Sequence, residues 1–373
     1  MSNKDKNVVP ETTPASNAKA DIFSIVIPAY NSAKLLSRCL EALEKQSAPN
    51  VEFEVIVADD GSTDETLEML FQFKARTELN LKWTSITNSG PGYARNAGVA
   101  KSAGSWIGFI DADVIPDADW VKNAIQLIRQ KPDAGAFEGR TEVTQRNLAT
   151  PFTHQTENTD GGRYPTCNFL VRRNLANFHP AYQGPLHFRE DTDLAFSILA
   201  SGYSIIFAPQ LIVEHPPLSS SYSRPLVLAR RYYYDGLLAR RFPSRYQSEL
   251  DAHQIFGLKI PHLKRKLYSF FVLSQIVFLA VLLFGSSASG MLLPLNAYLA
   301  GLCLTAGASL RYANLRDLSL QDWLVFVSQL HVLPWLMGYS LFRGWLDFRG
   351  VPEFNAGKLW EPPKTRLSKK EIN

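Results

Sequence analysis

From Ile22 onward the chain alternates short apolar runs with segments of helical periodicity. Ile22–Pro28 (IFSIVIP) is almost continuously apolar, the pattern of a strand covered on both faces. Ser32 to Leu43 then sets Leu35, Leu36, Cys39, Leu40 and Leu43 on one helical face. The unit repeats as a strand over Phe53–Ala58, a turn through Gly61 and a helix from Asp64 that carries Leu67, Leu70 and Phe71. A third strand near Leu81–Thr87 leads through Asn88-Ser89-Gly90-Pro91-Gly92 into a helix around Ala94–Ala103, followed by a strand ending at Asp111. This rhythm predicts an α/β fold, a doubly wound, mostly parallel sheet with helices on both faces.

After Asp133 the strands shorten, as in Ala134–Arg140 and Asn168–Val171, before an acidic helix start at Glu190 and a strand over Tyr203–Ala208. A second half added to the same sheet is expected. The resulting division is a disordered tail over 1–20, two halves of one domain over 21–133 and 134–250, an apolar region over 251–350 and a basic polar tail over 351–373.

Residues 267 to 310 contain no charged side chain, which leaves room for two helices of about 20 residues, each able to cross about 30 Å of hydrocarbon. A transmembrane hairpin over about 267–308 is expected, turning at Gly285–Gly290. Lys264, Arg265 and Lys266 precede it and Arg311 and Arg316 follow it, so both outer ends face the cytosol at an inner membrane. Asp322 to Leu346 is also apolar, but Asp322, Gln329, His331 and Pro334 interrupt it while Trp323, Trp335 and Trp345 decorate it. An interfacial or re-entrant helix fits better than a third span. The Ser219–Arg245 stretch, rich in Arg and Tyr, reads as a membrane-surface element.

Composition narrows the function classes. With 39 basic and 35 acidic residues the net charge is only +4, which does not suggest a nucleic-acid partner. Cys39, Cys167 and Cys303 are far apart and form neither a disulfide framework nor a zinc motif, in keeping with a reducing compartment. Residues 1–20 lack the apolar core of a signal peptide.

The chemistry lies at two strand ends. Val55–Asp60 and Trp106–Asp113 are apolar runs that close on acids, and the carboxyl ends of parallel strands form the ligand crevice of an open α/β sheet. Asp111-Ala-Asp113 can share a hard divalent cation that also binds diphosphate oxygens. Asp60 can accept a hydrogen bond from a nucleobase or ribose, although Asp59–Asp64 equally suits a turn and helix cap. No phosphate-cradling glycine motif of the dinucleotide or ATP type is present. Glu190, Asp191 and Asp193 precede an apolar helical run of Leu194, Phe196, Ile198 and Leu199, where acids also stabilise a helix N-terminus. Glu190 would raise the pKa of Asp191.

Taken in order, Ile25-Val26-Ile27-Pro28-Ala29-Tyr30-Asn31, VADDGSTDET, Asn88-Ser89-Gly90 with Ala94-Arg95-Asn96-Ala97-Gly98, FIDAD and Arg189-Glu190-Asp191-Thr192-Asp193-Leu194 resemble the family-2 inverting glycosyltransferases of GT-A fold, over about Ile22 to His215. The resemblance implies that Pro28, Ala29, Tyr30, Asp60, Asn88 and Gly90 frame a nucleotide-sugar donor, with Arg95 near its diphosphate. It implies that Asp111, Asp113 and His215 bind Mg²⁺ or Mn²⁺, and that Asp191, beside Glu190, is the general base. His154, His179 and His187 have no comparable context.

The QxxRW motif of processive relatives is absent, Leu228-Ala229-Arg230-Arg231-Tyr232 standing in its place. Single or limited sugar addition is therefore expected, to a lipid-linked saccharide, polyprenyl phosphate or membrane-associated glycan. A two-helix hairpin is small for a polymer channel, although a homo-oligomer would enlarge it. A nucleotidyltransferase is disfavoured because Pro28–Ser32 offers no basic, glycine-rich triphosphate loop. A catalytically silent glycan-binding scaffold is the other alternative, which Asp191→Asn would distinguish.

Overall fold

The computed structural model describes residues 23–47, 52–145, 148–182, 188–250, 253–255, 258–260, 262–284, 291–310 and 317–355. The expected tails over 1–20 and beyond 355, the hairpin turn at 285–290, His187, Arg311 and Arg316 lie outside the described residues.

The first half consists of β1 (Phe23–Ala29), α1 (Ala33–Glu44), β2 (Phe53–Asp59), α2 (Thr66–Arg76), β3 (Asn80–Ser85), α3 (Pro91–Lys101) and β4 (Trp106–Ile110). Its strands are parallel in the order β3-β2-β1-β4. Because side chains alternate across a strand, Ile25 and Ile27 pack with Leu36, Leu70, Phe73 and Trp120 on one face, while Val26, Ile56 and Ile107 pack with Phe109, Phe169 and Ile198 on the other. The near-continuous apolar strands thus arise from burial on both sides. On α2 the core positions are Leu70 and Phe73; Phe71, one helical step from Leu70, is instead 63% exposed and meets Trp83 edge-on. A β-carbon on Gly98 would overlap Val26, so the glycine lets α3 settle directly on β1.

The second half adds β5 (Ile115–Pro116), α4 (Trp120–Gln130), β6 (Ala136–Val143), β7 (Asn168–Arg172), α5 (Glu190–Ala200) and β8 (Ile205–His215). The eight-stranded sheet runs β3-β2-β1-β4-β7-β6-β8-β5. β7 enters antiparallel to both β4 and β6, β8 is parallel to β6, and β5 is antiparallel to β8. The sheet is therefore mixed, with the parallel pattern concentrated in the first half. Insertion of β7 beside β4 places the loops after β4, β6 and β8 around one mouth.

Beyond the sheet come α6 (Arg224–Arg231), a 3₁₀ turn (Tyr232–Tyr234), α7 (Asp235–Arg241) and α8 (Pro243–Ser248). After a small hairpin of β9 (His253–Ile255) and β10 (Leu258–Ile260), three long helices follow: α9 (Leu263–Phe284), α10 (Leu292–Leu310) and α11 (Leu320–Asp347). Among the described residues, Arg265–Phe284 and Leu320–Asp347 are long and apolar enough to cross a membrane, whereas the apolar run Leu292–Gly307 is shorter. Much of the Arg- and Tyr-rich stretch is packed inside the protein: Tyr234, Asp235, Leu237, Leu238 and Arg241 are buried.

Candidate active site

At the ends of β1 and β2 the backbone is closely tied. The Asp60 amide donates to the Ala29 carbonyl at 2.8 Å, and Asp59 Oδ1 accepts the Ser62 amide at 3.0 Å. Asn31, in the left-handed region at φ +46°, accepts the Thr63 amide at 2.7 Å and donates its own amide to Ser62 Oγ at 2.9 Å. Asp60, 5% exposed, receives the Ser89 amide on Oδ1 at 2.7 Å and the Gly90 amide on Oδ2 at 2.8 Å. Gly90 has φ +95°, a conformation that suits glycine and lets both amides aim at one carboxylate. Pro28 and Ala29 at the end of β1, and Tyr30, Asp60, Asn88 and Gly90 on the loops that follow neighbouring strands, thus stand together, with Tyr30 49% exposed.

At the end of β4 the two acids of the DAD triplet diverge. Asp111 Oδ1 pairs with Arg95 at 2.6 Å, and the other end of the same guanidinium lies 4.0 Å from Glu190 Oε1. Arg95 is 3% exposed, so it acts as a buried bridge between the β4 end and α5. Asp113 instead approaches His215, with Oδ2 3.8 Å from Nε2. His154, from the segment between β6 and β7, joins them, and one ligand atom from each of the three residues lies within 4.8 Å of the others.

The donor set suits a cation. His215 Nδ1 is 3.0 Å from the Pro216 carbonyl, which can only accept, so its proton belongs there and Nε2 presents a lone pair. Burial and the neighbouring Arg224 push the His154 pKa down to about 3, keeping it neutral. Burial and the charge of Asp111 raise the Asp113 pKa, and Asp113 Oδ1 is buried without a hydrogen-bond partner among the described residues. The Nε2 lone pair of His215 and a carboxylate held in want of a positive charge, with the neutral His154 ring beside them, fit a divalent metal.

The third group is the first turn of α5. Arg189 enters it at φ +72°, held by an ion pair to the fully buried Asp235 at 2.8 Å. Asp235 also pairs with Arg265 of α9. Asp193 is neutralised by Arg241 at 2.6 Å and accepts the Tyr182 hydroxyl at 3.0 Å. Among the described residues Asp191 has no such ion pair: its Oδ1 accepts the Thr192 amide at 2.7 Å. Desolvation and the adjacent Glu190 charge push its pKa up to about 7. A helix N-terminus lowers carboxylate pKa values, so the raised value means that burial and like charge outweigh the dipole here. Burial raises Glu190 as well, against the pull of Arg95.

Residues 24–184 match the model of the family described as Glycosyl transferase family 2. The chain carries a glycosyl transferase family 2 domain. It is 41% identical over 108 residues to the poly(ribitol-phosphate) beta-N-acetylglucosaminyltransferase TarS of Staphylococcus aureus, a match covering 28% of this chain and 18% of that protein. It is 29% identical over 202 residues to the glycosyltransferase AglE of Haloferax volcanii, covering 52% and 66% respectively. The chain therefore spans less than a fifth of the staphylococcal relative. Among solved structures, the mannosyltransferase PcManGT of Pyrobaculum calidifontis, in complex with GDP-Man and Mn²⁺, aligns with a TM-score of 0.48 and 18% identity over 88% of this chain and 87% of that one.

Within the family 2 domain and the segments after it, the fold brings together Asp111, Asp113, His215, Glu190 and Asp191 as one constellation. Sequence reasoning missed His154. Its neighbours form no motif, and only the path of the segment between β6 and β7 carries it to His215, where the two rings stand perpendicular with centroids 5.2 Å apart. Two arginines of α6 reach this constellation: Arg224 contacts His154, and Arg231 lies close enough to Glu190 and Asp191 for its charge to act on them.

Proposed function

We propose that the chain is a metal-dependent, inverting glycosyltransferase that moves a sugar from a nucleoside diphosphate to a hydroxyl or phosphate of a membrane-associated acceptor. The observation that carries this reading is the convergence of an uncompensated carboxylate–imidazole set and a base poised near pH 7 on one strand-end mouth. Asp60 would act on the nucleoside by fixing the Ser89–Gly90 loop that lines it.

For a hydroxyl acceptor, Asp191 takes the proton as its oxygen bonds to the anomeric carbon from the face opposite the leaving group. The bond from that carbon to the diphosphate oxygen breaks in the same displacement, and the electron pair leaves with the nucleoside diphosphate. Glu190 keeps Asp191 basic enough to take the proton, and Arg95 links the donor side at Asp111 to the acceptor side at Glu190. Asp113, His154 and His215 would hold a divalent cation, which supplies positive charge to the departing diphosphate. Two imidazole donors favour Mn²⁺ over Mg²⁺, which prefers oxygen ligands.

The apolar α9 and α11, with the arginines before and between them, support a membrane location with the domain on the cytoplasmic face. The absence of QxxRW supports a limited number of transfers.

The test is nucleoside-diphosphate release by the purified full chain in detergent, with UDP- and GDP-sugars, Mn²⁺ or Mg²⁺, and EDTA and Asp113→Ala as controls. Metal-dependent release from one donor, lost in the variant, is expected. Nucleotide-sugar binding with no release across donors and lipid acceptors would favour the silent scaffold.

A further inference from the structure

Helix α11 is 28 residues long, about 42 Å at the usual rise, and is tied to the catalytic side along nearly all of it. At its start the Tyr222 hydroxyl donates to Asp322 at 2.7 Å, and Gln329 donates to the Tyr222 carbonyl at 2.7 Å. Midway, Leu333 and Met337 pack with Ala229 of α6. Near its end a β-carbon on Gly344 would overlap the Tyr233 carbonyl, and the Tyr233 hydroxyl donates to Asp347 at 3.1 Å. A helix crossing the bilayer cannot keep both ends and its middle against the same water-facing elements.

The opposite face is apolar and open. Trp323, Leu324, Val327, Val332, Trp335, Tyr339 and Phe342 are exposed, and no charged residue interrupts that face between Trp323 and Phe342. Exposed Arg230, Arg343 and Arg349 lie on α6 and at the C-terminal end of α11, as they would beside anionic headgroups. The first apolar helix fixes the height. Among the described residues α9 meets α11 in its early turns, through Tyr268 with Leu333 and Met337, Phe271 with His331, and Gln275 with Trp335. The far end of α9 then runs clear of the protein, with Leu282, Leu283 and Phe284 exposed. The level at which α9 would enter lipid is therefore the level at which α11 lies.

We propose that α11 lies in the plane of the bilayer, its Trp323–Phe342 face seated at the boundary of headgroups and acyl chains, so that α6 and α7 hold the catalytic mouth at headgroup height. The acceptor atom is then presented at the membrane surface and not drawn from solution. This rests on the membrane reading proposed above.

The test uses the full chain with Cys303→Ser, reconstituted in vesicles of phosphatidylcholine and phosphatidylglycerol. Single spin labels are placed at the exposed Leu324, Val332 and Phe342 of α11 and at Leu279 of α9, and depth is read from collisions with oxygen against a nickel chelate. In-plane seating gives the three α11 sites one shallow depth, about 5–10 Å below the headgroups, with Leu279 deeper. A spanning α11 would separate Leu324 from Phe342 by about 27 Å and overturn the proposal. Nickel-accessible α11 sites with a deep Leu279 would overturn it while leaving the membrane reading intact; all four sites nickel-accessible would overturn both. Spin–spin broadening at the α11 sites, without lipid depth, would assign the face to a second copy of the chain.

Discussion

Two sets of acids stand around the same mouth, and they differ in whether their charge is met. Asp59, Asp60, Asp193 and Asp235 are saturated: backbone amides hold the first two, and Arg241, Arg189 and Arg265 neutralise the others. Asp113, Glu190 and Asp191 are held in low-dielectric surroundings with less compensation, and all three have raised pKa values; burial raises Asp193 as well, so the two sets differ in the ion pair that Arg241 gives Asp193 and not in the direction of the shift. A saturated acid contributes its interactions to stability, whereas a protein that leaves acids undercompensated sacrifices stability and gains groups ready to take a proton or a cation. Substituting the first set should therefore cost stability, and substituting the second should cost activity.

The largest effect is expected at Asp191. Asp191→Asn should lower transfer by roughly 10²–10⁴-fold while calorimetry shows donor binding unchanged; loss of both together would move Asp191 into the saturated set. Asp235→Asn should behave in the opposite manner. It leaves Arg189 and Arg265 without their buried counter-charge, a change that costs about 3–5 kcal/mol, measurable as a drop in the denaturant midpoint. An unchanged midpoint would mean that the pair is not a determinant of stability.

His154→Ala should raise the Mn²⁺ concentration for half-maximal release by at least about tenfold, in the range seen when metal-site residues are removed, and Asp60→Asn should leave that requirement alone. Asp60→Asn should instead weaken donor binding and destabilise the domain by about 1–3 kcal/mol, because an amide cannot accept from both backbone donors. A shifted metal requirement in Asp60→Asn would blur the division between the two sets.

The smallest effects concern pH. Because Asp191 must be ionised to act as base and its pKa is about 7, kcat/KM should fall with unit slope as pH drops below that value. The same shift has a stability sign. The folded state holds its Asp191 proton from the ordinary carboxylate range up to about 7, so ionisation across that window weakens folding. Asp191→Asn should therefore raise the thermal midpoint at alkaline pH and lose this advantage in acid; a lower midpoint at alkaline pH would contradict the assigned direction.

The first half of the fold was legible because burial on both faces writes itself into sequence as continuous apolar strands, as in Phe53–Asp59 and Trp106–Ile110, each closing on acids at the carboxyl end. The second half was harder to read. β7 is antiparallel and short, β8 extends to His215 well beyond the expected Ala208, and no local period distinguishes a strand inserted between β4 and β6 from one added at an edge. Phe71 illustrates a smaller failure: helical spacing names a face to within about one position, and only the packing of α2 decides that Phe73 is inside.

By itself the sequence determined the strand-end placement of Asp60, Asp111 and Asp113, the acidic start of α5 and the apolar character of α9 and α11, because each depends on neighbours within a few residues. Tertiary structure decided that Asp111 is engaged by Arg95, that His154 joins Asp113 and His215, and that Asp193 is neutralised while Asp191 is not. Those outcomes depend on which side chains meet across tens of residues and how much solvent they lose there. Charge compensation is a property of a place in space, and a linear pattern carries no record of it.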